Sequence, residues 1–393
     1  MNERIQALRG VAIVLVLLQH GLILDLAAPS GLYSPGWSGV HLFFVISGCV
    51  ITASLMRDRA DFRGFMIRRV FRLWPALLAF LLLVWVLNHI LAGESGYPHG
   101  PMPESRFWIY AAGSLLGLVF PFLVFGVFMP VPFMFAHIWS LSVEDLFYVA
   151  FGLAAFRLLQ VWPLERTIRV LSALLVLLVV LRALAWSGVV PWVPTVIAAH
   201  NGIWSSRLIL AAVSPVMLPA VAGMDFIIAG VVIACLAQSR SDAGRRFFSR
   251  ADLGVILIPI ALIVLSFSGN PVVPSSLGTL AVVGLPIALV LFGLSVQAAW
   301  QDARPLRGAL GKILKRLGDL SYSLYLVHMP MAALVSSIFY RLDLYWQHRD
   351  PISFSLAFFP VYALASIACA ALCYRFIERP MIAYGRRVAT RAG

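Results

Sequence analysis

The chain has 393 residues, 61% of them hydrophobic and only 12% charged, with a net charge of +13 and a mean hydropathy of +0.92. Soluble domains carry about 25% charged residues, so this composition excludes a water-soluble globular protein and implies one embedded in a membrane. The excess charge is almost all Arg, gathered in short stretches between apolar runs, which argues for cytoplasmic loops beside anionic lipid headgroups and against nucleic-acid binding.

Taken in chain order, the apolar runs at 5–26, 39–56, 73–92, 138–156, 168–188, 221–238, 253–269, 277–299, 320–340 and 354–376 are each about the length a bilayer requires. The spacing predicts an all-α bundle of ten transmembrane helices in a single domain over 1–393. The first run begins like a signal peptide, with Arg4 and Arg9 ahead of Val11–Leu18, but Gln19 and His20 interrupt it and Ala27-Ala28-Pro29 is a poor cleavage site. It is read as a retained span. The apolar stretch 107–136 is broken by Pro121, Pro130 and Pro132, and 207–220, with Pro215 and Pro219, reads as a lead-in segment.

Basic residues fix the orientation. The stretch 57–72 carries six Arg, and 157–169, 240–250, 304–316 and the tail are also basic, so these are expected to be cytoplasmic. The loops 27–38, 93–106, 189–206 and 270–276 are poor in basic residues and are expected outside, as is 341–352 despite Arg341 and Arg349. Both termini then lie in the cytoplasm, and 107–136 must be re-entrant, peripheral or a pair of short crossings. No internal repeat is visible. Cys49, Cys235, Cys369 and Cys373 sit in apolar stretches without metal-ligand spacing and are read as packing residues.

Ionisable groups inside spans are costly and are functional candidates by default. Arg9 and His20 lie eleven residues apart in the first span, a rotation of about 1,100° that returns both side chains to one face, roughly 16 Å apart along the axis. A neutral imidazole there is suited to take a proton from a hydroxyl. Gly39-Val40-His41-Leu42-Phe43-Phe44-Val45-Ile46-Ser47-Gly48 offers small residues for close helix approach. Arg68, Arg69 and Arg72, just before Trp74-Pro75, form a cationic cluster of the kind that binds phosphate, or mark a cytoplasmic boundary. In the segment from His137 to Tyr148, Glu144 is placed to orient an imidazole, hold an Arg or contact substrate; a structural ion pair with Arg182 is the competing reading. Ser321, Tyr325 and His328 share one helical stripe, which suits a polar cavity or interhelical hydrogen bonds. Tyr374–Pro380 closes the last span and is expected to make ion pairs at the membrane boundary.

Together and in this order, these segments resemble the acyltransferase-3 family of membrane enzymes, the O-acetylating type that modifies bacterial surface polysaccharides. The family's basic residue, ten intervening positions and His are matched by Arg9 and His20. Its Gly-Val-x-x-Phe-Phe-Val-x-Ser-Gly segment is matched at 39–48 and its Arg-x-x-Arg-x-x-Pro segment by Arg69, Arg72 and Pro75. Its Trp-Ser-Leu-x-Val-Glu segment is matched at 139–144, and its Ser-Tyr-x-x-Tyr-Leu-x-His-x-Pro segment at 321–330. One departure is clear: where the family usually continues Glu-x-Gln-Phe-Tyr, this chain reads Glu144-Asp145-Leu146-Phe147-Tyr148 and lacks the amide.

The resemblance implies a multi-pass enzyme of a bacterial-type inner membrane that moves an acyl group, acetyl in the simplest case, from acyl-CoA to a hydroxyl of a sugar or glycoconjugate. It implies His20 as general base, with Arg9 and Glu144 as catalytic partners. Arg68, Arg69 and Arg72 would hold the donor, and Ser321, Tyr325, His328 and Trp139 would contact substrate. No metal and no extra domain after the last span are expected. A transporter or flippase for a glycolipid or small solute is the alternative reading, and a sensory or scaffold protein with a degenerate site a third.

Overall fold

A computed structural model describes residues 2–23, 38–57, 62–91, 102–124, 131–186, 223–238, 251–267, 283–301, 306, 308–342, 344 and 350–392. The expected loops 189–206, 240–250 and 270–276, most of 27–38 and 93–106, and the stretch 207–220 lie outside these residues. Among the described residues the regular structure is all helical. Helix α1 covers Glu3–Leu18 and runs into a π-helical turn at Gln19–Ile23. Then come α2 (Ser38–Arg57), α3 (Phe62–Leu91), α4 (Glu104–Leu115), α5 (Val119–Val124), a 3-10 turn at Phe133–Phe135, α6 (Ile138–Val161) and α7 (Leu164–Trp186). The rest are α8 (Met224–Gln238), α9 (Ala251–Phe267), α10 (Leu285–Gln301), α11 (Ala309–Arg341), α12 (Pro351–Cys373), a π-helical turn at Tyr374–Glu378 and α13 (Arg379–Ala392).

Each of the ten predicted apolar runs contains a helix, and among the described residues five helical runs are long and apolar enough to cross a membrane. Leu82 on α3, Val176 on α7 and Leu364 on α12 expose 62–68% of their surface, the outer apolar faces that a lipid environment covers. Helix α11 sits at the centre, with 78% of its apolar window buried against 22% for α7. It packs on α1, α3 and α12.

Local chemistry sets the helix starts. Asn2 caps α1, its side chain accepting a 2.9 Å hydrogen bond from the Arg4 amide. Asp350 caps α12 by accepting from the Ser353 amide at 3.1 Å, ahead of Pro351 at the first helical position. Hydrogen bonds from the Ser353 side chain and then from its amide hold the Asp350 carboxyl below its usual range.

Two close helix pairs organise the bundle. On α1, a Cβ added to Gly10 would collide with the main-chain oxygen of Leu314, and one added to Gly318 of α11 with that of Gln6. The two glycines therefore face each other, and the rings of His20 and His328 meet ten residues further along each segment, so the two run parallel. Gly48 of α2 and Gly230 of α8 form a second parallel pair, each against a main-chain oxygen of the other helix, Ile227 and Val45. Gly39 of α2 lies against the Ala12 oxygen of α1, where an added Cβ would stand 2.6 Å away. Small residues let backbones approach this closely.

The structure redraws several boundaries. The Arg-rich stretch 57–72 is not a loop throughout: from Phe62 it is the first part of α3. Phe65 is buried and Phe71 packs edge-on against Tyr384 of α13, so apolar anchoring carries the helix through the basic residues. Likewise 309–316 belongs to α11, 157–161 to α6, and the tail 379–392 is helix α13, which lies on α3 with Gly385 against Phe71. The described parts of 107–136 form α4, α5 and the 3-10 turn, each too short to cross a bilayer. Two reciprocal 2.9 Å hydrogen bonds between the Asn88 side chain and the Met102 main chain hold the entry to this segment on α3. Ser142 ties its middle to α6, donating to the Gly117 oxygen and accepting from the Phe120 amide at 3.2 Å.

Candidate active site

Helices α1, α2, α3, α6 and α11 line a cavity of about 70 Å³ that widens to about 690 Å³ when its open mouth is included. One wall is cationic, with Arg9 from α1 and Arg69 and Arg72 from α3. Facing it from α6 is the carboxylate of Glu144. The remaining wall is largely apolar, with Phe43, Phe44, Val50 and Leu141 among its residues. Three guanidinium groups against one lining carboxylate leave the cavity with a formal excess of positive charge.

Glu144 is held from two helices. One oxygen accepts from the Ser47 hydroxyl of α2 at 2.8 Å, and the other accepts from the Tyr148 hydroxyl one turn along α6, also at 2.8 Å. Arg69 lies over the Tyr148 ring at 4.9 Å and near the Phe65 ring at 5.5 Å, a cation–π arrangement. Arg9 donates to the Gln6 side chain at 3.4 Å, and Gln6 donates to Asp319 of α11 at 2.6 Å. Glu378 and Glu144 both lie within electrostatic reach of Arg9.

At the inner wall, the Tyr325 hydroxyl meets the Ser140 hydroxyl at 2.5 Å and donates to the His137 main-chain oxygen at 3.0 Å. Behind Tyr325 is a layer of imidazoles. The Tyr325 ring is 5.4 Å from the rings of both His137 and His328, which are 4.6 Å from each other, and His328 is 5.1 Å from His20. His20 belongs to the π-helical turn after α1, and its Nδ1 donates to the Val16 oxygen at 2.9 Å. This leaves Nε2 as the basic nitrogen of the neutral ring. Such π-helical turns are frequent at functional sites.

A family model described as an acyltransferase domain matches residues 2–375. The chain belongs to the acyltransferase-3 family. Among its relatives, a Staphylococcus aureus (strain COL) protein provisionally named an O-acetyltransferase is 31% identical over 157 residues, covering 37% of this chain and 23% of the relative. A Komagataeibacter xylinus protein provisionally named a membrane-bound transacylase is 34% identical over 193 residues, covering 46% of this chain and 44% of the relative. A Bacillus subtilis (strain 168) protein provisionally named a peptidoglycan O-acetyltransferase is 30% identical over 158 residues, covering 37% and 22%. The chain thus spans less than half the length of these relatives. No solved structure matches it.

Of the residues that the acyltransferase-3 resemblance singled out, Arg9, Arg69, Arg72, Glu144, Ser321 and Tyr325 line the cavity. His328 stands one ring behind its inner wall, and His20 one ring beyond His328. Arg68 and Trp139 are not in the lining; the Trp139 ring packs between Phe44 and Phe120, with centroids 6.5 and 6.1 Å away. The ion pair weighed for Glu144 with Arg182 does not form. Arg182 on α7 pairs instead with Asp225 on α8, both buried, with Phe226 5.2 Å from the guanidinium. The closing segment also departs from the expected boundary ion pairs: Arg375 and Arg379 are exposed, whereas Glu378 is buried and accepts from Ser323 at 2.6 Å.

Some site residues escaped the sequence reading. Ser47 was read only as a small residue for close helix approach and Tyr148 had no assigned role, and the four-residue step from Glu144 to Tyr148 was the available signal for that pair. Asp225 is the only charged residue of an apolar helix, which by itself marked it as paired or functional.

Proposed function

We propose that this acyltransferase-3 protein moves an acyl group, acetyl in the simplest case, from acyl-CoA to a hydroxyl of a sugar or glycoconjugate. The observation that carries the reading is the cavity in which Arg9, Arg69 and Arg72 face an apolar wall. Guanidinium forks bind phosphate, coenzyme A is a cytoplasmic polyanion, and the apolar wall suits the arm that bears the thioester. In this reading the arm passes Tyr325 to reach His20. The glycan acceptor draws support from the peptidoglycan named for the Bacillus subtilis relative.

In the proposed step His20 Nε2 takes the proton of the acceptor hydroxyl as its oxygen attacks the thioester carbonyl. The C–O bond forms, the C–S bond breaks, and the departing thiolate takes the proton from the imidazolium, giving an ester and free coenzyme A thiol. Arg9 and Arg72 hold charge near the donor, and Glu144 keeps the Tyr148–Arg69 contact in place. We further propose ten crossings of a bacterial inner membrane with both termini in the cytoplasm. The parallel packing of α1 with α11, and of α2 with α8, supports that order, because each pair has the same predicted direction.

Membranes containing the protein, given acetyl-CoA and candidate glycans, are expected to release coenzyme A thiol only when an acceptor is present. A transporter or flippase gives no release under any condition, and that result ends the enzymatic reading.

A further inference from the structure

The cavity changes character along its length. Val40, Phe43, Ser47 and Ile51 line it from α2, and Ser140, Glu144 and Tyr148 from α6. Steps of three or four residues keep each set on one helix face, about 16 Å long on α2. Ser47 meets Glu144 in the middle. At one end Arg69 lies over Tyr148. At the other the Tyr325 hydroxyl meets Ser140, and the Tyr325 ring stands edge-on to Phe43. Arg9 is also remote from this aromatic end. Its neighbour Gly10 faces Gly318, and Gly318 precedes Tyr325 by about 10 Å along α11.

The aromatic end is narrow. The centroids of Phe43 and Tyr325 are 6.2 Å apart with the ring planes at 76°, the spacing of an edge-to-face contact. Tyr325 separates the cavity from His328 and is tethered, since its hydroxyl also donates to the His137 main chain. Phe43 carries no polar group and is only half-buried, so the volume of its ring sets the free width at this end. Short of its mouth the whole cavity measures about 70 Å³. A cavity of about 150 Å³ takes a benzene ring, so this space takes roughly three heavy atoms, the size of an acetyl group.

We propose that Phe43 sets the length of the acyl group that the protein accepts. With the donor's phosphates at the cationic end, its acyl end meets the Phe43–Tyr325 contact, which passes an acetyl group and rejects longer chains. This rests on the acyltransferase reading and names the class of donor within it. Phe43 is a specificity-determining residue: it moves no proton, and the bonds made and broken are those already given. A longer chain has to displace the ring, and a packed helix interface resists such overfilling.

The test compares coenzyme A thiol release from acetyl-CoA and from butyryl-CoA, in membranes holding the full-length protein and the candidate glycans. Both donors are measured on one preparation, so their ratio does not depend on how much protein folds. Wild type is expected to favour acetyl-CoA by about 100-fold in kcat/KM, about tenfold for each extra methylene. Phe43→Ala removes the ring, frees more space than the added methylenes fill, and is expected to bring the ratio below about tenfold. Phe43→Leu keeps an apolar side chain at this position and falls between the two, which covers the case in which Phe43→Ala does not fold. Val50→Ala, on the same α2 face toward the cationic end, is expected to keep the wild-type ratio. A wild-type ratio near one overturns the proposal, as does a Phe43→Leu ratio equal to that of wild type. A shift from Val50→Ala as large as that from Phe43→Leu overturns it too, because the narrowing is then not at Phe43. Release from neither donor with any glycan overturns the acyltransferase reading itself, and that result is distinct from a ratio that fails to move.

Discussion

The ring of His20 lies 5.1 Å from the ring of His328, and the register of that contact is set ten residues earlier, where Gly10 of α1 faces Gly318 of α11. Both pairs carry the same offset in numbering, 328 − 20 and 318 − 10, as parallel helices require. The glycine contact is therefore a positioning device for the imidazoles. Gly318→Ala places a methyl group against the Gln6 main-chain oxygen, which is backbone and cannot swing aside. Gly10→Ala does the same against Leu314. Each is expected to cost about 1–3 kcal/mol of stability and to lower turnover beyond the loss of folded protein. Thermal unfolding in detergent, with activity normalised to the folded fraction, checks this; a variant with wild-type melting and turnover contradicts it.

His20→Ala is expected to reduce turnover by about 10²–10⁴-fold, the usual contribution of a positioned general base. Membrane insertion should be unaffected, because His20 is only half-buried and its side-chain bond goes to its own helix. Arg9→Ala is expected to abolish transfer as well. Thiol release from purified protein decides both, and wild-type turnover from His20→Ala removes the base assignment.

Much of this was legible before any coordinates. A three- or four-residue repeat of polar groups on an apolar helix survives folding unchanged, so the stripe Ser321, Tyr325 and His328 does occupy one buried face of α11. Strict local spacing also sets Glu144 one turn from Tyr148, a pair that was not drawn from the sequence alone. What the sequence concealed was the pairing of distant helices. Arg182 finds Asp225 rather than Glu144 because α7 packs on α8, and no periodicity within either helix encodes that choice. The split between the cavity and the imidazole layer was hidden for a similar reason. Arg9 and His20 share a helix, but Tyr325 on another helix stands at the inner wall. Helix boundaries near Arg-rich stretches were misjudged because composition alone does not reveal that Phe65 and Phe71 anchor them.

Arg69 and Arg72 offer a separate test of the donor site. Both line the cavity from α3, and the Arg69 guanidinium lies over the Tyr148 ring. Their Ala variants are expected to weaken acyl-CoA binding by about tenfold or more, the scale of a lost charge-assisted hydrogen bond, with acceptor KM little changed. Arg69→Lys should not rescue, because an ammonium cannot reproduce the planar fork or its stacking. A binding titration with unchanged donor affinity takes both residues out of that role.

The buried pair of Arg182 and Asp225 gives the sharpest stability prediction. Both side chains are almost wholly buried, 1% and 0% exposed, in helices with no other charge nearby along their apolar runs. Removing one partner strands the other's charge away from water, so Arg182→Leu or Asp225→Leu alone should cost about 3–5 kcal/mol and reduce the yield of folded protein. Replacing both leaves no stranded charge, and two apolar side chains fit an interface that already contains Phe226. The double variant is therefore expected to regain most of the lost stability, and melting temperatures of the four proteins give the coupling directly. If the double variant melts as low as the sum of the single losses predicts, the two residues are independent and the pair does not join α7 to α8. Activity supplies a second readout. The Phe226 ring packs at a tilt against His41 of α2, with centroids 4.5 Å apart, and α2 carries Ser47 to Glu144, so a single variant that loosens α8 should also lower turnover, and the double variant should restore it.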